Sequence, residues 1–418
     1  MNLYGEVLPT TELRFDYSST YAVARNSRQG LKNFGPYDSS QFDKASIRCA
    51  IIYPVSLTNM KTWFTGSITK GEGGFVGFQK LFRIPLVFEE ERHIAREGEK
   101  ELREISSLLA KMDLDLVFVL MSTRNSTLHR ACKGELLGNG LPSQVVTSET
   151  LQDPRQRPWV LENIALASYA KVGGTPWVVS NPSRQNQLVL GVSRAQDYAK
   201  RFIVGFVTLF TQDGDFLLMH SKAPVIEWDR YVDGLTTLIC EAIREYEKLR
   251  GVPEFIIVHF HKGPGYKELD AIEEALKNLG KDIPYALLHL NEYSNFRLFD
   301  SSHSSYVPET GLKVNLGRHQ ALLLLDGRIG DQRRKMGVPR VLDVRMDKRS
   351  TLAASEFPSL VRQVYDFSRI NWRGFNAAAI PVTINYSKLI ADMVAEVGAD
   401  HWNKIIASGK LRDKAWFL

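Results

Sequence analysis

The chain has 418 residues, 44% hydrophobic and 24% charged, with 53 basic against 47 acidic side chains. That length exceeds the size at which one core keeps growing, so two packed domains are expected, each with a sizeable core. A net charge of +6 is compatible with a polyanionic partner but too mild to require one. Three distant cysteines, Cys49, Cys132 and Cys240, exclude a disulfide framework and fit a reducing compartment, each as a small core residue. No apolar run approaches the ~20 residues of a membrane span. Met1 to Thr20 carries Glu6, Glu12 and Asp16 where a signal peptide would be basic and then apolar, so a cytoplasmic location is expected.

From Ser46 onward, short apolar runs alternate with amphipathic stretches. Ile47 to Tyr53, Arg83 to Phe88, Leu114 to Leu120 and Gln144 to Thr147 read as strands, and the clearest helical pattern between them runs from Glu89 to Met112. Such alternation predicts a parallel sheet covered by helices, a Rossmann-like α/β layer. Asp153 to Pro158 interrupts the pattern before a helix from Trp159 to Lys171, which Gly173-Gly174 and Pro176 stop.

The second half has a different order. Leu188 to Ser193, Lys200 to Phe210 and Phe216 to Ser221 read as three successive strands, with Gln212-Asp213-Gly214 as a turn. A helix Tyr231 to Arg250, a strand Glu254 to Phe260, a helix Lys267 to Leu279 and a strand Tyr285 to Leu290 follow. Three antiparallel strands, then helix, strand, helix, strand, is the element order of the RNase H fold. Helical patterns at Ser359 to Ile370 and Ser387 to Val397 finish the chain, and Ser301 to Ser305 and Asp331 to Lys335 read as loops. The predicted organisation is a segment 1–40 packing on the second domain, a domain 41–178, and a domain 179–418.

One constellation suits a terminal phosphate. A helix beginning near Asn125-Ser126-Thr127 carries His129 and Lys133 at i, i+4, on one face within a turn of an N-terminus that already favours anions. Gln144 on the next strand is expected at the same sheet edge, and Lys171 ends the next crossover helix. Two lysines, a histidine and a glutamine make a phosphate cradle. Spacing alone also fits a solvated helix face with Lys133 pointing to water. Gly71-Glu72-Gly73-Gly74-Phe75-Val76-Gly77 lacks the Lys-Ser/Thr of a P-loop and is expected to be a flexible loop. His259 and His261, at i, i+2, would share a strand face, and His220 or His289 could join them at a metal, but no cysteine or acid stands at ligand spacing.

Several segments carry a resemblance across almost the whole chain. They are Gly30 to Tyr37, Pro142-Ser143-Gln144, Lys171 to Trp177, Asn371-Trp372-Arg373-Gly374-Phe375, Ile380 to Leu389 and Trp416-Phe417-Leu418. In this order they resemble prokaryotic Argonautes reduced to a Rossmann-like MID domain and an RNase H-like PIWI domain. The resemblance implies that His129, Lys133, Gln144 and Lys171 grip the 5′-phosphate of a short guide strand. It also implies a role for the carboxylate of Leu418 in holding a magnesium ion that bridges guide phosphates, which needs an unextended terminus. Ala167 stands where the relative of the Archaeoglobus type supplies a glutamine to that cation.

RNase H chemistry needs carboxylates converging on two metals. Where slicing relatives place these acids, the chain offers Ser193, a segment His259-Phe260-His261-Lys262 with His261 opposite the acid, and Ser387. Glu227 and Asp229 are nearby in sequence but too few to assemble the site. The expected protein is therefore not an enzyme: a catalytically inactive short Argonaute holding a guide, RNA favoured, against complementary single-stranded DNA of plasmids or phages. Arg333-Arg334-Lys335, Arg369 and Arg373 are candidate backbone contacts. The resemblance further implies a partner with an APAZ domain joined to an effector, a Sir2-like or TIR-like NADase or a nuclease, that target binding activates in prokaryotic immunity. Two alternatives are a stand-alone homodimeric guide-binding protein and a nuclease with an unusual metal set built on His259, His261 and Glu227.

Overall fold

The computed structural model describes residues 4–95, 97–180, 186–196, 202–261, 265–280, 282–329 and 337–418. Lys200, Lys262 and Arg333-Arg334-Lys335 lie outside the described residues. The first forty residues form no layer of their own. β1 (Gly5–Val7) pairs antiparallel with Leu312 to Val314, and β2 (Leu13–Arg14) pairs with β3 (Val23–Ala24). Thr11 donates to Asp366 at 2.6 Å. α1 (Ser27–Phe34) starts at Asn26, whose side chain accepts from the Gln29 amide. Gly30 is required there because a Cβ would sit 2.2 Å from the Phe15 ring.

Next come β4 (Ile47–Pro54), α2 (Thr58–Lys70), α3 (Phe78–Phe82), β5 (Leu86–Ile94), α4 (Glu99–Leu109), β6 (Leu116–Met121), α5 (Ser126–Gly138), β7 (Ser143–Thr147) and α6 (Arg157–Lys171). The four strands form one parallel sheet in the order β5-β4-β6-β7. β6 is buried at every residue, as a parallel strand covered on both faces must be. The helix expected from Glu89 begins only at Glu99. Glu89 to Ile94 instead extends β5, with Glu89, Glu91 and His93 exposed in alternation along an edge strand. The acidic run has helical propensity, but pairing with β4 overrides it, and charges along an open edge discourage further pairing. The glycine-rich segment is not a loose loop. Glu72 and Phe75 exchange two backbone hydrogen bonds of 3.0 Å, and Gly71 and Gly77 abut so closely that a Cβ on either would lie 2.9 Å from the other's nitrogen.

β8 (Val178–Val179) pairs with β2 and closes the order β3-β2-β8. The rest of the chain supplies β9 (Gln187–Gln196), β10 (Ile203–Phe210), β11 (Phe216–Ser221), α7 (Trp228–Arg250), β12 (Phe255–His261), α8 (Tyr266–Asn278), β13 (Tyr285–Asn291), β14 (Leu312–Gly317), β15 (Gln320–Leu323), β16 (Leu342–Met346), α9 (Phe357–Phe367) and α10 (Val382–Ser408). The large sheet runs β11-β10-β9-β12-β13-β16-β15-β14-β1. Its first five strands have the RNase H order, with β9-β10-β11 antiparallel and β9, β12 and β13 parallel. β14 to β16 were not expected. α10 extends the predicted Ser387 to Val397 helix in both directions, and Gly398, at φ 79°, interrupts its helical geometry. Gly191 lets α10 lie on the sheet, since a Cβ there would be 2.8 Å from the Thr383 carbonyl oxygen.

A polar cavity of about 850 Å³ opens beside β2, lined by Asp38, Asp213 and Asp215 among others. The Asp215 side chain is 17% exposed. Burial first, then the neighbouring Asp213, pushes its carboxyl up to about 7. Between the unfolded value near 4 and this one, the folded protein holds more protons than the unfolded chain, so this group's contribution to stability falls as pH rises. Asp215→Asn should therefore melt later than the parent at pH 8, by on the order of 2 kcal/mol, and show no gain at pH 4. A gain independent of pH in paired thermal melts would contradict the assignment.

Candidate nucleic-acid interface

The four predicted phosphate ligands meet. His129, Lys133, Gln144 and Lys171 line one cavity of about 560 Å³, together with Arg373 and Leu418. α5 and α6 bring the two lysines to edge strand β7, and α10 closes the opposite side with Asp392 and Glu396. Lys133 is 3% exposed and Lys171 1%, which removes the solvated-face alternative. Both ammonium groups donate to the Ser143 carbonyl, at 2.7 and 3.1 Å, and Lys171 also donates to Gln144 Oε1 at 2.7 Å.

The placement differs from expectation in one respect. Gln144 pairs with Phe118 in the middle of β6, so it lies beside the flank of α5 and not at the sheet edge facing the helix N-terminus. Two of the amides at that terminus, Thr127 and Leu128, already donate to the Asn125 side chain. The positive charge at the cavity therefore comes from side chains. Burial pushes Lys133 down to about 8; burial, then Lys133 and Arg373, hold Lys171 well below the usual ammonium range. Two buried ammonium groups sharing one carbonyl are undercompensated, because buried charges ordinarily find a counter-charge. An anion entering the cavity would supply it.

His129 is not free. Its Nδ1 pairs with Glu396, 267 residues away, so the imidazole ties α5 to α10. The His129–Glu396 pair was invisible to sequence reasoning, since no local spacing links the partners.

At the position of RNase H chemistry, Ser193 on β9 and His261 at the end of β12 share the sheet face that α10 covers: Val192 pairs with Phe260, and each lies one residue beyond. Ser387 does not join them. It is fully buried and donates to the Thr383 carbonyl within α10 at 2.7 Å. Lys388 reaches the site instead: Glu292, just after β13, pairs with His261 at 2.7 Å and with Lys388 at 2.7 Å. The hydrogen bond from His261, then Lys388, hold the Glu292 carboxyl down to about 2. The sequence reading passed over Glu292, whose signal was an acid two residues past an apolar strand.

The four histidines proposed as metal ligands do not converge. His259 is fully buried against Thr383 at 2.8 Å, and burial holds it down to about 3, so it is neutral. His289 pairs in register with Phe260, which alternates with His259 and His261, and its partner is Asp347. His220 meets Glu245 and Arg412. Glu227 lies at the start of α7 beside Arg230. Among the described residues no three His, Cys, Asp or Glu side chains are grouped to hold a metal, and no helix is long and apolar enough to cross a membrane.

The family profile of the Piwi domain matches residues 115–330, just over half of the chain. The chain is 27% identical to an Argonaute of Cereibacter sphaeroides over 98% of its own length, and spans only 58% of that relative. It is 26% identical to a Piwi protein of Archaeoglobus fulgidus, covering 73% of this chain and 75% of that one. Among solved structures, the Argonaute of Clostridium butyricum with a guide DNA and a 19-mer target DNA superposes with a TM-score of 0.76 over 95% of this chain and 53% of its own; at 15% identity that likeness speaks to the fold. The strand order of the large sheet and the profile match agree: this chain belongs to the Piwi-domain family and is homologous to a bacterial Argonaute and an archaeal Piwi protein.

Proposed function

We propose that the chain binds the 5′-phosphorylated end of a short guide, RNA favoured, in the cavity of Lys133 and Lys171, and presents it to a complementary DNA strand without cutting that strand. The observation that carries this reading is the pair of buried ammonium groups converging on the Ser143 carbonyl with too little counter-charge. A terminal phosphate is dianionic above its second pKa of ~6 and brings acceptor oxygens to both lysines and to the amide of Gln144. Sequence selection would then reside in base pairing, so the protein needs backbone contacts and not base readout.

Magnesium seeks oxygen donors. Asp392 and, if its carboxylate is free, Leu418 could hold such an ion at this cavity, while Ala167 offers nothing, so phosphate oxygens would have to complete the shell. The ion would offset charge between guide phosphates.

Inactivity as a nuclease is supported by serine at 193 and by Glu292 being engaged by His261 and Lys388, which leaves no set of acids for a metal pair among the described residues. An effector in a second chain, of the APAZ type, would then provide the output, driven by whatever affinity difference it has for the target-loaded form. Purification from the native operon, with sequencing of bound nucleic acid and intact mass, tests this. Short 5′-phosphorylated RNA in a heteromeric complex is expected, and the loaded complex should leave a complementary strand intact with magnesium or manganese. Cleavage lost on His261→Ala would restore a nuclease reading, and a homodimer would favour the stand-alone one.

A further inference from the structure

A second cavity, of about 530 Å³, adjoins the phosphate site and shares Asn163 and Arg373 with it. Its most unusual lining residue is Trp159, in the first turn of α6 and 50% exposed. The Arg28 guanidinium lies 4.4 Å from the Trp159 ring centre and 4.9 Å from that of Phe375, so it covers one side of the indole. Arg28 is held there by Glu162, a buried carboxylate that also meets Lys32 at 3.4 Å. The clasp joins α1, α6 and the loop after α9 and fixes the indole plane, leaving the rest of the ring to solvent.

Two more features point to a ligand. Asn163 Oδ1 is buried without a hydrogen-bond partner among the described residues, and buried acceptors are rarely left so. Gly374 stands beside it, close enough that a Cβ would lie 3.4 Å from that oxygen. Asn371, Asn376 and Asn385 add amides around the same space, and Arg373 adds charge. A flat aromatic face, an orphan acceptor, amides and a cation together match a nucleotide: base on the indole, an NH or OH on Asn163, phosphate by Arg373.

We propose that this cavity receives one unpaired nucleotide of the guide, its base stacked on the open side of Trp159. The proposal rests on the guide-binding reading above. Trp159 precedes Lys171 on the same helix by twelve residues, about 18 Å of helix, which places the stacked base a few nucleotides from the 5′ end. Inside a continuous duplex both faces of a base are covered by the neighbouring base pairs, so the contact would hold the guide before a target arrives and be given up once a duplex runs through that position.

The test uses 5′-phosphorylated RNA guides carrying 2-aminopurine at one position at a time, without target. One position should be quenched on binding, and the quench should vanish in Trp159→Leu, which keeps bulk against Arg28 but has no π face. Trp159→Phe should restore it. Guide affinity should fall about tenfold in the Leu variant, in the range of one base–aromatic stack. If no position depends on Trp159, the inference is wrong. A Trp159-dependent quench seen only with the probe in an added target strand would also overturn it and assign the cavity to the target. Lys133→Met with Lys171→Met, run alongside, separates the two levels. Loss of 5′-phosphate binding there, with Trp159 variants unaffected, sinks the stacking site alone; wild-type binding there sinks the phosphate reading.

Discussion

Lys133→Met with Lys171→Met is expected to weaken binding of a 5′-phosphorylated guide on the order of 100- to 1000-fold while changing the affinity of the 5′-hydroxyl guide little. Each lysine can donate a charge-assisted hydrogen bond to the phosphate, worth roughly 1.5–3 kcal/mol, and both sit where water is excluded. Methionine keeps most of the buried alkyl length and so avoids the cavity alanine would leave. The variant should also fold at least as well as the parent without a guide, because it removes two buried ammonium groups that repel each other beside one carbonyl. Filter binding with the two guide chemistries checks the first point, and thermal melting the second. Equal losses for both guides would mean that the lysines hold the structure together and do not read the phosphate.

Guide affinity should depend on pH in a way the 5′-hydroxyl guide does not share. Without ligand, Lys133 titrates near 8. A phosphate beside it raises that value, so above pH 8 each binding event takes up a proton and affinity falls by up to tenfold per pH unit. From pH 7 to 9.5 the loss should be on the order of 30-fold. The phosphate stays dianionic over this range and cannot account for the slope. Without a guide the sign reverses. Between about 8 and the ordinary lysine value the unfolded chain holds more protons, so the empty protein gains stability as pH rises. A flat affinity profile for the 5′-phosphorylated guide, or an equal slope in the Lys133→Met variant, would contradict the linkage.

The two lysines, the histidine and the glutamine were legible because each lies within one βα unit whose strand and helix can be read from apolar periodicity. What their spacing left open was direction. Lys133 at i+4 from His129 suits both a solvated face and a buried cradle, and only the packing of α10 against α5 decides for burial. The same helix accounts for one misreading. Ser387 looked like the natural occupant of the last RNase H position, yet it turns inward to the Thr383 carbonyl, and Lys388 reaches Glu292. Glu89 to Ile94 failed for another reason. Its acidic run has helical propensity, whereas its conformation is set by a neighbouring strand nearly forty residues earlier.

By itself, the sequence determined the succession of strands from β4 to β7 and from β9 to β13, the parallel first sheet, the RNase H succession of the second, and the serine at 193 where an acid would stand. These are local properties, set by periodicity, turn residues and side-chain identity. Tertiary structure alone decided which charges are buried and with what they pair: Lys133 with Lys171 on one carbonyl, His129 with Glu396, Glu292 between His261 and Lys388, Arg28 between Trp159 and Phe375. Those pairings join residues up to hundreds of positions apart. A buried charge's energy depends on the groups that replace its water, and no spacing along the chain specifies them.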